Sequence, residues 1–513
     1  MRLIARLLVL VLVMTFLSAA LRNGLGEAQQ TNVRSLRLKT GASGREVVRS
    51  LEKTIPRLMK AGDVPGLSIV LIRNAKIYWH RGFGVKNADT NAPMDDSTVF
   101  ETASLTKPVL AYGVLKLVDS GKLELDKPLI EYLPTPYIKG DPKANLITAR
   151  MVLSHTSGLQ NELHPGEQLQ IHFTPGERFS YSGEGYIYLQ KVVEQITGER
   201  IDVFMKKAVF DPLGMSSASY SWRNEYERLM ANGHNPAGLV ADRIKPTEVK
   251  ISWLHMTALD YARFVIAVMN GVGLNSTTAK LMLTPQVHIN ESCIFCLTAG
   301  NEKISPSLSW GLGWGLERTE AGEAFFHWGE NRAEFHTFAM AYPKQKIGVV
   351  VFTNSGNGLS IMPEIVSTAL DGTHPAFAWM GYDLYNSPKK IQYRAYIKPI
   401  RILFKDILLR GEKVITQYRN VRENSSGNAR LDESQMNQLG YWLLGKKRVK
   451  EAIEILAMNV EDYPKSANAY DSLGEAYMIA GNKDLAIKQY RKSLELNPNN
   501  TNAVEMIKRL QSK

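Results

Sequence analysis

Apolar residues at Val47, Val48, Leu51, Ile55 and Leu58 recur at helical spacing and predict an amphipathic helix at the start of the main body of the chain. The pattern then changes. Two apolar runs, Leu67 to Ile72 and Ile77 to Val85, flank Arg73-Asn74-Ala75-Lys76 and predict a strand hairpin. A second strand pair, Glu334–Tyr342 and Lys346–Thr353, is predicted across Pro343-Lys344-Gln345. Strand pairs at both ends of a long helical middle imply an α+β arrangement over residues 45–375, an antiparallel sheet with helices on it. Residues 376–430 read as a basic helical linker that docks the C-terminal part of the chain onto this body, ending in the polar stretch Glu423-Asn424-Ser425-Ser426-Gly427-Asn428.

Beyond it, over residues 431–513, the pattern repeats. Leu439, Gly440, Ala452 and Pro464 recur 34 residues later as Leu473, Gly474, Ala486 and Pro498, the period of tetratricopeptide repeats. The second unit is the clearer, with Tyr470, Tyr477, Gly481 and Tyr490 at the expected offsets. In the first, Met436 and Leu443 take aromatic positions and Lys447 stands where Gly would turn the chain. Two units bury too little by themselves, so a helix at about 501–511 is expected to cap them, with upstream helices closing the other end.

Composition narrows the class without naming it. With 513 residues, 44% hydrophobic and 22% charged, the chain can bury several cores, and wholesale disorder is excluded. A net charge of +12 on this length does not identify a nucleic-acid binder, but residues 376–430 hold eleven Lys/Arg and four Asp/Glu. That segment is a solvated helix face with the potential for weak contact with an anionic membrane surface. At the other end, Arg2 and Arg6 precede an apolar run from Leu7 to Leu17, then small residues at Ser18, Ala19 and Ala20, and at Gly26 and Ala28. Residues 1–28 thus read as an export signal, which places the protein in the periplasm or outside the cell; an uncleaved anchor is the alternative. Cys293 and Cys296 form a C-x-x-C, which in an oxidising compartment is a loop staple or two free thiols. A zinc site would need four ligands, and only His288 is near, so no metal is assigned.

The sharpest chemical candidate is Ser104-Leu105-Thr106-Lys107. If Ser104 begins a helix, Lys107 lies one turn on and on the same face, within reach of the hydroxyl. A serine hydroxyl is a poor nucleophile until something takes its proton, and a partly buried lysine can do so. The tetrapeptide alone decides little, since it also occurs at Ser50-Leu51-Glu52-Lys53 and Ser387-Pro388-Lys389-Lys390. Only the copy at 104 follows extended-looking residues, Thr98-Val99-Phe100, and sits at a strand-to-helix transition.

Four further segments give that copy a context: Leu153-Ser154-His155-Thr156-Ser157-Gly158-Leu159, Tyr181-Ser182-Gly183, Trp310-Gly311-Leu312-Gly313-Trp314-Gly315 and Phe326-His327-Trp328-Gly329. Together, in this order, they resemble the serine β-lactamase-like superfamily, in the branch of class C β-lactamases, penicillin-binding carboxypeptidase relatives, D-stereospecific peptidases and β-lactamase-fold esterases. The resemblance covers about 45–375 and implies the penicillin-binding/β-lactamase-like fold. It makes Ser104 the acylated nucleophile, Lys107 its proton acceptor or an electrostatic support, and Tyr181 the phenol or phenolate that relays protons to and from the leaving group. It sets His327-Trp328-Gly329 on the strand beside the site, where the N–H of Glu330 would join that of Ser104 in an oxyanion hole. Two positions depart from the family pattern: Gly183 stands where an Asn is usual, and His327 replaces a permanently charged lysine. His155 reads as a structural brace, and Trp310 and Trp314 as packing.

The sequence therefore implies an exported serine hydrolase acting through a Ser104 acyl-enzyme on an ester or a small or D-configured peptide, followed by tetratricopeptide repeats open to a protein partner. A β-lactamase or penicillin-binding carboxypeptidase is one alternative. A non-catalytic envelope scaffold, binding proteins through its repeats, is the other. No Gly-x-Ser-x-Gly elbow, His-Glu-x-x-His or Walker loop occurs. No motif calls for a nucleotide, a metal or another cofactor, or for nucleic acid.

Overall fold

The computed structural model describes residues 43–512, apart from Pro165, Ala299, 301–302, Asp371 and 425–429. The expected export signal at 1–28 and the polar residues from Ser425 onward lie outside the described residues. Ser43 caps the first helix, α1 (Gly44–Gly62), through reciprocal hydrogen bonds with Glu46. Val47, Leu51, Ile55 and Leu58 are buried on its inner face. The hairpin comes next as β1 (Gly66–Arg73) and β2 (Lys76–Asn87). Its two turn residues, Asn74 and Ala75, both take φ of 52°, the left-handed pair that matches the twist of the flanking strands.

Further strands are β3 (Ala92–Pro93), β4 (Phe100–Glu101), β5 (His255–Met256), β6 (Val287–Asn290), β7 (Ile304–Trp310), β8 (Gly315–Thr319), β9 (Gly322–Glu330), β10 (His336–Tyr342) and β11 (Ile347–Thr353). All but β4 and β5 form one antiparallel sheet in the order β3-β2-β1-β11-β10-β9-β8-β7-β6. β10 begins at His336 rather than Glu334, and β11 at Ile347 rather than Lys346, because Glu334 (φ 65°) and Lys346 (φ 57°) are left-handed turn residues. The hydrophobic pattern gave no sign of β6, β7 and β8. Pro306 and three serines in β7, and Gly315 and two charges in β8, are poor strand formers, so neighbouring strands impose their extended form.

Among the helices of the front body are α2 (Thr106–Asp119), α3 (Ala149–Leu153), α4 (Glu184–Thr197), α5 (Ala258–Asn270) and α6 (Met362–Ala369). The central strands are buried on both faces, which is why they read as continuous apolar runs rather than alternating ones. Val70, Ile72, Ala339, Ala341, Val350 and Phe352 pack with α2, α4 and α5. Ile69, Leu71, Phe338, Met340, Val349 and Val351 face the other way, onto α1 and α6. Every residue of α2 from Thr106 to Leu115 is buried, so this helix runs through the interior between the sheet and the helical part.

The helices described after residue 387 are α7 (Pro388–Arg410), α8 (Glu412–Asn424), α9 (Glu433–Gly445), α10 (Val449–Asp462), α11 (Ala467–Ile479), α12 (Lys483–Leu496) and α13 (Thr501–Gln511). Ser387 caps α7 by accepting a hydrogen bond from Lys390 N–H, and Ser50 lies inside α1 with Lys53 exposed, so neither spare Ser-x-x-Lys copy makes a site. Ile397, Ile400, Phe404 and Ile407 of α7 share one core with Ala237 and Leu239 of the front body and Met436, Leu439 and Leu443 of α9. Within the repeats, Gly440 lets α9 approach α10: a Cβ there would sit 2.6 Å from the Leu456 side chain. Lys447 adopts φ 59°, the left-handed turn that Gly481 makes at φ 79° one repeat later. α13 covers Ala486 and Tyr490 with Ala503, Met506, Ile507 and Leu510. Among the described residues no helix is long and apolar enough to cross a membrane.

Candidate active site

The site forms where the chain leaves β4 and enters α2. Ala103–Leu105 makes a single 3-10 turn before the α-helix starts at Thr106, so Ser104 precedes the α-helix rather than beginning it. Ala103, although it has a side chain, is held at φ 49°, strain that the surroundings must over-determine. They do so from three sides. Thr337 Oγ1 donates to Thr102 O at 2.9 Å, Thr102 Oγ1 to Leu254 O at 3.1 Å, and Tyr261 OH to Leu105 O at 3.1 Å. From the same side as Thr337, β9 comes closest. It pairs with β8 only as far as Phe326, and beyond that the freed edge lies against the Ser104 turn. Gly329 permits the approach, since a Cβ there would lie 2.6 Å from Thr102 O and 3.0 Å from Ser104 N.

Lys107 Nζ donates to Ser104 Oγ at 3.0 Å. The amine is buried among rings, 4.9 Å from the centroid of Tyr181 and 5.8 Å from that of Tyr186. Burial brings its pKa down to about 7, opposed only in part by the charge of Glu162. Burial thus lets the amine accept a proton far more readily near neutral pH than an exposed lysine would. Ser104 itself stays partly accessible.

Tyr181 is brought in by the segment before α4. Its N–H donates to Ile294 O at 2.9 Å, and Ser182 fixes the start of α4 by donating from Oγ to Gln160 O and accepting Gly185 N–H, both at 3.0 Å. His155 stacks on the Tyr181 ring at 4.2 Å, its Nδ1 accepting Ser182 N–H at 3.0 Å. Burial first, then Lys107 and His327, hold that imidazole well below its usual pKa, so it is a neutral brace. The Tyr181 hydroxyl is buried and forms no hydrogen bond among the described residues. Burial raises its pKa against the influence of nearby Ser104, which keeps it a phenol.

His327 is fully buried and its Nδ1 bonds Trp328 O at 2.7 Å, leaving Nε2 without a partner among the described residues. Burial and the neighbouring Lys107 bring its pKa to about 3, so it adds hydrogen-bonding capacity and no charge. Glu330 ends β9 exposed, with its carboxylate bonded by Tyr382 OH. At Gly183 there is no room for a side chain, because a Cβ would collide with Asn161 O. Trp310 and Trp314 are fully buried packing residues. The structure thus gathers Ser104, Lys107, Tyr181, His327 and Gly329 at one centre, with Gly183 and Glu330 at its margins.

Three participants carry no sequence signal. Glu101 is buried, accepts Asn331 Nδ2–H at 2.7 Å and has its pKa raised to about 7 by burial, tying the strand before Ser104 to the turn after Glu330. Asn161 and Phe295 line a cavity of about 770 Å3 beside the site, with Glu162, His164, His172 and Leu297. Phe295 belongs to the Cys293–Cys296 loop, which is closed by a disulfide with Cα atoms 5.7 Å apart. Chemically, the centre offers a nucleophile, an amine able to take its proton, a second proton carrier and a strand edge for a developing oxyanion.

The beta-lactamase family model matches residues 51–364, and a tetratricopeptide repeat model matches 467–500. Protein flp of Staphylococcus aureus is 24% identical over 327 residues, 60% of this chain and 63% of its own length. Penicillin-binding protein 4* of Bacillus subtilis is 26% identical over 293 residues, 51% of this chain and 62% of its own. The chain thus spans less than two thirds of either relative. Among solved structures, the octameric penicillin-binding protein homologue from Pyrococcus abyssi shares the fold with a TM-score of 0.53 at 23% identity, over 68% of this chain and 81% of that one. The D-alanine carboxypeptidase AmpC from Burkholderia cenocepacia does so with 0.52 at 17%, over 64% of this chain and all of that one. With the family model covering more than half of its length, and the serine, lysine and tyrosine gathered at one centre, this chain belongs to the beta-lactamase family.

Proposed function

We propose that the front body is a serine hydrolase that cleaves a carboxylic ester or a small or D-configured peptide by two-step acyl transfer. The observation that carries this reading is the 3.0 Å contact between Lys107 Nζ and Ser104 Oγ, made by an amine that burial keeps partly unprotonated. Ser104 Oγ attacks the acyl carbon and passes its proton to Lys107. Tyr181 OH protonates the departing group and recovers a proton from Lys107, while the N–H groups of Ser104 and Glu330 hold the oxyanion. Water then repeats the sequence on the Ser104 ester and releases the acid.

A β-lactamase or a penicillin-binding carboxypeptidase would use the same parts, and the likeness to penicillin-binding protein 4* favours that second reading. Gly183 and the neutral His327 weigh against it, because they remove a substrate-facing amide and a fixed positive charge. The deciding experiment incubates the protein with fluorescent penicillin, a chromogenic cephalosporin and p-nitrophenyl esters, and maps any mass adduct. An adduct on the Ser104 peptide, lost in Ser104→Ala, is expected. Turnover of esters alone selects the first reading, and a long-lived penicillin adduct the second. No adduct and no turnover would leave a scaffold that acts through its repeats.

Export is part of the proposal and rests on the pattern at 1–28; recovery of full-length protein only from the cytosol would overturn it. The tetratricopeptide repeats are proposed to hold a protein partner. Helix α7 is proposed to touch an anionic membrane surface weakly. Its outer face carries Ile391, Ala395, Lys398, Ile402, Lys405 and Leu409 at alternating spacings of four and three, all exposed, with Leu409 81% exposed. The two lysines within that apolar line would repel a second copy and suit anionic lipid. Sedimentation with phosphatidylglycerol vesicles should fall at least about fivefold in Lys398→Glu/Lys405→Glu. Equal sedimentation with phosphatidylcholine vesicles would refute it.

A further inference from the structure

The cavity that reaches the site through Phe295, a neighbour of Tyr181, is lined mostly by polar residues. Asn161, Glu162, His164 and His172 are among its polar members, and Phe295 and Leu297 are its large apolar ones. Phe295 is 55% exposed, unusual for an aromatic ring, yet it is not loose. Its ring meets that of Tyr181 edge to face at 6.1 Å and 88°. The backbone around it is tied down at both ends. Ile294 O accepts Tyr181 N–H at 2.9 Å, Arg178 Nε and Nη2 donate to Cys296 O and Leu297 O at 3.1 and 3.0 Å, and the Cys293–Cys296 disulfide closes the loop. Buried Cys296 Sγ also lies 3.4 Å from Asn290 Oδ1 on β6. A short, stapled loop thus holds an uncovered aromatic face at the edge of the proton-relaying tyrosine.

Uncovered apolar surface in a concave site is covered when a matching ligand arrives, and the surrounding polar groups fix its orientation. We propose that Phe295, presented by the Cys293–Cys296 loop, is the specificity-determining wall of the substrate cleft, and that the substrate carries an aromatic or alkyl group close to its scissile bond. This rests on the serine hydrolase reading. It narrows the substrate from any ester or small peptide to an amphiphilic one, with a hydrogen-bonding group as well as the apolar one. Because Phe295 touches Tyr181, the apolar group can belong to the acyl part or to the leaving alcohol or amine.

The test compares ethyl acetate, ethyl phenylacetate and benzyl acetate by pH-stat. In the unaltered protein at least one phenyl-bearing ester should exceed ethyl acetate in kcat/KM, the acyl or the alcohol arm identifying which part meets Phe295. In Phe295→Ala that preference should drop at least about tenfold, in KM rather than kcat, and Phe295→Tyr should restore it. Cys293→Ala/Cys296→Ala keeps the ring but releases its loop, and should lower the same ratio. An unchanged ratio in Phe295→Ala overturns the wall; an unchanged ratio in the double variant overturns the part given to the staple. A second measurement does not need turnover. Phenylacetamide binding to Ser104→Ala protein, followed by calorimetry, should weaken at least about tenfold when Phe295→Ala is added. No binding, or equal binding, overturns the proposal even if every ester is hydrolysed. Absence of any ester turnover with selective phenylacetamide binding would instead sink the hydrolase reading, and with it the scissile bond, while showing that Phe295 selects a phenyl group.

Discussion

Lys107→Met is expected to abolish acylation of Ser104 and, at the same time, to make the protein more stable. The first effect follows from the proposed mechanism, in which the buried amine accepts the serine proton, and loss of a positioned base costs about 10²–10⁴-fold. The second comes from linkage. A lysine whose pKa falls from 10.5 to about 7 on folding resists being buried while the unfolded chain keeps it charged. At about 1.4 kcal/mol per pKa unit, that cost near pH 7 is about 4 kcal/mol. Because the folded pKa is the lower one, the unfolded chain binds the extra proton between about pH 7 and 10.5. Stability should therefore rise with pH across that window in the unaltered protein and stay flatter in Lys107→Met. Acylation by the unaltered protein should in turn fall as pH drops below about 7. Urea denaturation at pH 7 and 10 measures the stability, and mass spectrometry of the Ser104 peptide the acylation. A variant that is less stable at both pH values, or that still acylates, would remove the lysine from its role.

Gly329→Ala is the other large effect. The added methyl would enter a space bounded by Thr102 O, Ser104 N and Thr337 Oγ1, with the Thr102 oxygen at 2.6 Å. Two of these three are backbone atoms of the strained Ala103 turn and cannot swing aside. Relief must come from moving β9 away from Ser104, which also moves the Glu330 N–H. We expect about 10²–10³-fold loss of kcat with kcat/KM falling in step. The accompanying destabilisation should be about 1–3 kcal/mol. Steady-state kinetics of an ester and a thermal melt suffice. Full activity with a lowered melting temperature would show that β9 can retreat without harm to the oxyanion site.

Much of this architecture was legible in the chain because it rests on local patterns. The stripe from Val47 to Leu58, the two apolar runs around Asn74-Ala75 and the repeat at Gly440 and Gly474 are each set by neighbours in sequence. The centre was partly legible for the same reason: Ser104 and Lys107 are one turn apart. Tyr181, His327 and Gly329 could be named only through the resemblance, since nothing in their own segments says that they converge. Glu101, Asn161 and Phe295 lacked even that. A glutamate before a Ser-x-x-Lys is unremarkable until its burial and its bond to Asn331 are seen, and Phe295 looks like any loop aromatic until the disulfide and Arg178 fix it beside Tyr181. β6, β7 and β8 were hidden because tertiary pairing overrides weak local preference.

The core shared by α7, the front body and α9 has a mechanical consequence. A flexible tether would let the repeats swing freely, whereas Ile400 and Phe404 clamp them to Ala237 and Leu239. Those two residues lie just after His234, whose backbone N–H and ring Nδ1 both bond Asn354 O at the end of β11. A cargo pulling on the repeats would therefore load the central sheet directly, and truncation at residue 430 would strip α7 of the cover given by Met436, Leu439 and Leu443 instead of trimming a dispensable tail.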